Sequence, residues 1–211
     1  MFIDRVDAGK KLAVALIDLC DQPDSVVVLA IPRGGVVVAR EVARALNAPL
    51  DVCLTHKLGA PGNSELAIGA VAEDGTTLLD HDLIKHLFIP RSYLETEIER
   101  QKHEMLRRAE VYRRGRTRIS VAGCIAIVVD DGVATGSTLI AALRSTRAAG
   151  ARTLIAAVPV GPADVVRHLQ RSADRVVCLD APYDFWAVGM HYQYFGQVSD
   201  EEVIAALIDE Q

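Results

Sequence analysis

Short β-branched runs alternate with helix-length patterns along the chain, which predicts an α/β fold: a mostly parallel sheet with helices on both faces. Two observations support this. Val26–Ile31 and Ile125–Val129 are apolar at every position, as strands buried on both faces must be. Each is followed by a glycine-containing turn and then a helical pattern. The composition agrees: 211 residues, 50% hydrophobic and 24% charged, suffice for a sizeable core in a single domain, 1–211. Disordered and low-complexity architectures are excluded.

In chain order, a helix is expected over Asp7–Cys20, then a strand over Ser25–Ile31 and a helix over Gly35–Leu46. Further strands are Asp51–His56, Cys124–Val129, Thr153–Pro159 and Arg175–Leu179, with helices at Ser137–Ala149 and Ala163–Arg171 between them. Ser199 and Glu202 form a capping box for a last helix, Asp200–Ile208. Residues 57–118 interrupt the alternation. Gly59–Ser64 is a loop by composition, Leu66–Ala72 and Thr76–Leu79 flank the Glu73-Asp74-Gly75 turn of a β-hairpin, and Ser92-x-x-Glu95 caps a long polar helix reaching about Arg114. That helix region, 91–118, holds eight Arg and one Lys against five Glu. Interspersed signs read as a solvated or interface helix; an RNA-binding element is the alternative.

The net charge of −5 argues against bulk nucleic-acid binding, which relies on neutralising phosphates with cations. No apolar run approaches the roughly 20 residues of a membrane span. The first ten residues carry Asp4, Arg5, Asp7 and Lys10 and resemble no secretory signal, so a cytoplasmic setting is expected. Cys20, Cys53, Cys124 and Cys178 form no CxxC pair, and each lies in an apolar run; buried free thiols are expected. His81, His86, His103 and His168 are scattered and read as surface residues.

The chemistry concentrates at Asp130-Asp131-Gly132-Val133-Ala134-Thr135-Gly136-Ser137-Thr138. A buried strand ends in two acids, then a hydroxyl-rich turn, then a helix. Ligands in open α/β sheets bind beyond the carboxyl ends of the strands. Glycines 132 and 136 permit close backbone approach, and amides from Ala134 to Thr138 can form an anion nest at the helix's positive end. Two acids beside a phosphate cradle are compatible when sugar hydroxyls donate to the carboxylates and Mg²⁺ is nearby. The stretch is neither a GxxxxGK[ST] loop nor a GxGxxG turn.

This stretch resembles the phosphoribosyl pyrophosphate (PRPP) motif of type I phosphoribosyltransferases. The resemblance implies that Asp130 and Asp131 meet the ribose hydroxyls, and metal indirectly through PRPP, while Ala134, Thr135, Gly136, Ser137 and Thr138 hold the 5-phosphate. Pro32-Arg33-Gly34-Gly35 lies where the family keeps its pyrophosphate loop, and Lys57 where a basic residue reaches pyrophosphate. Arg33 and Lys57 would then act beside Asp130 and Asp131 in catalysis. The resemblance extends over roughly residues 20–180. The segments His56–Val71 and Gln197–Val203 look like predicted bacterial phosphoribosyltransferases without an assigned substrate. Family membership implies Mg²⁺, PRPP and a small acceptor, a homodimer, and a lid closing over the ligand, here Gly59–Leu66 with the hairpin. Lid residues Pro61 and Glu65 suggest stiffness.

Six of the ten aromatic residues fall within 180–195. In the family this region, here 180–211, would be the hood over the acceptor; the alternative is an aromatic plug on the sheet edge. The Trp186-Ala-Val-Gly189 piece resembles the purine-stacking segment of hypoxanthine-guanine phosphoribosyltransferases and implies base stacking by Trp186, with Phe185 beside it. The chain departs from that group at Ala134, where those enzymes carry an Asp, so no acceptor is named. Phosphoribosyl transfer to a nitrogen of a nucleobase or similar acceptor is the expected reaction. A PRPP-sensing regulator without catalysis is the rival.

Overall fold

The computed structural model describes residues 1–19, 25–73 and 75–208. Cys20, Asp74 and the Glu65 side chain, named above, lie outside the described residues. Five strands form a parallel sheet: β1 (Val26–Ala30), β2 (Leu50–Val52), β6 (Ile125–Val129), β7 (Thr153–Val160) and β8 (Arg175–Asp180), in the order β2-β1-β6-β7-β8. Period-two alternation divides β1 between two cores. Val26, Val28 and Ala30 face the core that also takes residues of α1 (Arg5–Ile17), α2 (Gly34–Leu46) and α7 (Asp200–Ile208). Val27 and Leu29 face the core shared with α5 (Ser137–Ala148) and with Leu169 of α6 (Ala163–Leu169). The continuous apolar pattern of β1 and β6 is thus the signature of burial from both sides, and every residue of both strands is buried. β8 is an edge strand and only half-buried, so the expected double burial fails there.

The expected strand Asp51–His56 is two strands. β2 stops at Val52, and β3 (Thr55–Ala60) turns away to pair antiparallel with β4 (Asn63–Ala72), which pairs with β5 (Thr77–Leu79). Strand β2 lies at the sheet edge with β1 as its one neighbour, so three rungs are all the sheet gives it. The first three residues of β3, Thr55, His56 and Lys57, are polar and half-buried, which suits a sheet with one face open to solvent. The expected loop Gly59–Ser64 is a tight hairpin instead: Ala60 pairs with Asn63 across Pro61-Gly62, with Gly62 at φ +74°. Proline followed by left-handed glycine is the sequence of a type II turn. The β4–β5 hairpin forms where expected.

Helix α3 (His81–His86), not anticipated, is capped by Asp80, whose Oδ1 accepts from Leu83 N at 2.9 Å. The long helix α4 (Arg91–Arg113) begins at Pro90 rather than on the Ser92 box, and Glu95 pairs with Arg91 instead. Proline fits a helix start because its missing N–H needs no partner there. The capping box on α7 forms as expected, with Ser199 N donating to Glu202 Oε2 (2.7 Å) and Glu202 N to Ser199 Oγ (3.2 Å). Of the described cysteines, Cys53 is buried while Cys124 and Cys178 are half-buried, and none of the three is in a disulfide. Burial pushes the Cys178 thiol up to about 11, so it stays protonated. Among the described residues, no helix is long and apolar enough to cross a membrane.

Candidate active site at the switch point of the sheet

Strand β1 connects to β2 on one side and β6 continues to β7 on the other, so the winding direction reverses between β1 and β6. A crevice opens beyond the carboxyl ends of two such strands. Strand β1 delivers Pro32-Arg33-Gly34-Gly35 to this crevice, and β6 delivers Asp130 and Asp131. The two loops touch. A Cβ on Gly34 would sit 1.9 Å from Asp131 Oδ2, and one on Gly35 would sit 2.9 Å from the Asp130 Cα. Both positions therefore require glycine, which explains a Gly-Gly pair at the first turn of α2. The Pro32–Arg33 peptide is cis.

Asp130 Oδ1 accepts from Asp131 N at 2.8 Å. Burial, then the neighbouring Asp131 charge, raise the Asp130 carboxyl well above the usual range. Asp131 Oδ2 accepts from Arg5 Nε at 2.7 Å, and the Asp131 carbonyl accepts from the buried Tyr192 hydroxyl at 2.5 Å. Burial also raises the Tyr192 phenol, which stays protonated and donating.

The cradle follows directly. Gly136 is left-handed at φ +81° and caps α5. The first helical bond, Ile140 N to Gly136 O at 2.8 Å, leaves the Ser137, Thr138 and Leu139 amides ahead of it as orphan donors of the first turn. Ala134 and Thr135 are exposed, and Thr135 Oγ1 lies 3.3 Å from Ser137 Oγ. These residues offer amides, hydroxyls and a helix N-terminus to one anion.

Arg33 and Lys57 have other neighbours. Arg33 is half-exposed, with Nη1 3.8 Å from Asp200 Oδ1 on α7. Lys57 lies on β3 and lines a cleft of about 340 Å³ with His56, Tyr93, Glu97, Arg100 and Gln101. Thr55, at the start of β3, reaches the cradle instead, its Oγ1 donating to Thr138 O at 3.4 Å.

The hood packs against the site. Gly132 has Val188 against it, where a Cβ would come within 2.5 Å. Phe185 stacks on His191 (5.3 Å, 11° between planes) and packs against the small cluster of Phe2, Ala8, Val160 and Tyr192. Trp186 is 85% exposed. Sequence reasoning anticipated aromatic residues here, but not that Tyr192 and Phe195 secure Asp131 and Arg5. It also missed Arg5 altogether, for which no local signal exists 126 residues from its partner.

A model of the phosphoribosyl transferase domain matches residues 4–194. The chain belongs to the phosphoribosyltransferase family. Two curated Mycobacterium tuberculosis proteins are each 48% identical to it over 207 residues: "Putative phosphoribosyl transferase MT0597" (strain CDC 1551 / Oshkosh) and "Putative phosphoribosyl transferase Rv0571c" (strain H37Rv). The match covers 98% of this chain but 46% of each relative, so the chain spans about half their length. Among solved structures, TT1426 from Thermus thermophilus superposes with a TM-score of 0.87 at 47% identity, covering 99% of this chain and 98% of that one. AQ2163 from Aquifex aeolicus shares the fold, with a TM-score of 0.52 at 10% identity over 84% of this chain and 74% of that one. The matched residues 4–194 include the acid pair, the glycine loop and the cradle.

Proposed function

We propose that the chain binds PRPP and transfers its phosphoribosyl group to a nitrogen of a nucleobase or similar small acceptor, releasing pyrophosphate. The observation that carries this reading is the direct packing of Gly34-Gly35 on Asp130-Asp131, one turn from the Gly136–Thr138 cradle. Sugar hydroxyls would donate to the acids, the cradle would take the 5-phosphate, and the Arg33–Gly35 turn would take pyrophosphate. Arg33, released from Asp200, and Lys57 would add positive charge where the leaving group gathers negative charge. The acids would favour the positive charge developing on the sugar.

The oxygen-only chemistry of Asp130 and Asp131 suits Mg²⁺, which the two acids would hold indirectly, through bound PRPP. When bound, the ion would neutralise pyrophosphate charge. A cytoplasmic setting and a homodimer belong to this reading through the family resemblance. A PRPP-sensing role uses the same site; on its side stands Phe185, whose ring is stacked on His191. Incubation with Mg²⁺, PRPP and a panel of nucleobases separates the two. Acceptor-dependent pyrophosphate release establishes transfer, whereas tight PRPP binding with no release across the panel favours sensing.

A further inference from the structure

Arg5 belongs to none of the motifs above, yet it holds the site together. Its side chain is 11% exposed and makes three unlike contacts. Nε donates to Asp131 Oδ2 and Nη1 to the Gly196 carbonyl, both at 2.7 Å, while the guanidinium lies 3.8 Å from the centre of the Phe195 ring. A planar fork can serve a carboxylate, a carbonyl and a ring face at once; a lysine ammonium cannot. The backbone fixes where Arg5 starts. Asp4 caps α1 by accepting from Asp7 N, and the preceding residues are bound to the hood through Phe2 N to His191 O, Gln193 N to Phe2 O and Tyr194 N to Ile3 O. A Cβ on Gly34 would meet Arg5 Nε at 2.9 Å, so the guanidinium is also confined from the glycine loop.

The bonds divide the carboxylate oxygens. Asp130 Oδ1 accepts from Asp131 N and Asp131 Oδ2 from Arg5, and neither of these bonds takes the second oxygen of its acid. We propose that Arg5 is a positioning residue that fixes the Asp131 carboxylate so that its remaining oxygen, beside that of Asp130, receives one of two vicinal sugar hydroxyls. Through Phe195 and Gly196 the same residue joins the sugar subsite to the hood. The proposal rests on the sugar-phosphate reading of the site, and its test separates the two.

The experiment is calorimetric titration with ribose 5-phosphate, its 2-deoxy and 3-deoxy analogues, and inorganic pyrophosphate. Wild-type protein is expected to prefer ribose 5-phosphate at least tenfold over one deoxy analogue, because the analogue leaves a buried acceptor unmatched. Arg5→Met narrows that preference to below about threefold while pyrophosphate affinity changes less than threefold, and Arg5→Lys recovers only part of it. Phe195→Leu, which keeps the ion pair and removes the ring under the guanidinium, narrows the preference partially and serves if Arg5→Met fails to fold. Wild-type protein that ignores the hydroxyls overturns the sugar-phosphate reading itself. A preference that persists undiminished in Arg5→Met, or in Phe195→Leu where that variant stands in, overturns the role of Arg5 and leaves the site reading intact. A merely structural role would lower the melting temperature without moving the ratio.

Discussion

Two arginine–carboxylate clusters hold this molecule together, and they differ in how completely their bonds are made. Arg113, at the end of α4, is 6% exposed; it donates from Nε to Asp51 Oδ1 (2.8 Å), from Nη2 to Val52 O (3.1 Å), and from both terminal nitrogens to Glu73. Asp51 Oδ1 also accepts from Val52 N, and its Oδ2 from Ile119 N. This cluster ties α4 to the edge strand β2 and to the turn of the second sheet, with every Asp51 oxygen occupied. The Arg5–Asp131–Asp130 cluster is of similar burial but unfinished. Arg5 bonds only one of the two acids, and burial and the Asp131 charge raise the Asp130 carboxyl well above its usual range. The saturated cluster serves architecture; a perturbed acid pair at a switch point is the arrangement expected of a ligand site.

The largest effect expected from this contrast is on stability at Arg113. Arg113→Met strands Asp51 as a buried charge and should cost about 3–5 kcal/mol, the range for breaking a buried pair. At about 2–4 °C per kcal/mol for a chain of this size, the melting temperature should fall by roughly 10 °C. A loss under about 3 °C would mean that the cluster is not structural.

Next comes binding at the open cluster. Asp131→Asn should weaken PRPP binding or turnover at least tenfold, about 1.4 kcal/mol, measured by calorimetry or initial rates. Unchanged affinity and turnover would remove Asp131 from the site.

The third effect has the opposite sign in stability. An acid whose folded pKa is raised binds its proton more tightly folded than unfolded, so it costs stability as pH climbs above its ordinary value of 3.8. Asp130→Asn should therefore raise the melting temperature of the ligand-free protein at neutral pH by about 2–4 °C, for ~1 kcal/mol. The gain should vanish below about pH 4, where Asp130 is protonated in both states. A variant less stable than wild type at pH 7 would show that Asp130 serves the fold.

The smallest effect lies on the exposed face of α4. Bonds from Arg107 and then Arg108 hold the Glu104 carboxyl at about 2. Its contribution is present above pH 4.5 and lost as pH falls toward 2, yet solvent screening keeps it small. Glu104→Gln should shift stability at pH 7 by no more than ~0.5 kcal/mol in urea unfolding. A larger loss would mean that surface pairs matter more here than the saturated cluster implies.

What could be read in the sequence follows the same line. β1 and β6 declare themselves because burial on both faces leaves a local, continuous pattern. Asp130–Thr138 declares itself because acids, turn and helix start are neighbours in the chain. The division of residues 51–56 between two sheets is not local: Leu50–Val52 pairs with β1 and Thr55 onward with β4, a choice made by distant partners. Arg113 looks like Arg107 and Arg108 in composition, and only the fold buries one and exposes the others. Arg5 is invisible for the same reason, lying 126 residues from the acid it holds.

The most direct test of the central claim is a titration of Mg²⁺–PRPP into wild-type protein and into Asp130→Asn/Asp131→Asn. Micromolar binding by the wild type that the folded double variant loses is the predicted result. Equal binding by both proteins, or none by a well-folded wild type, would contradict the assignment of this cluster as the PRPP site.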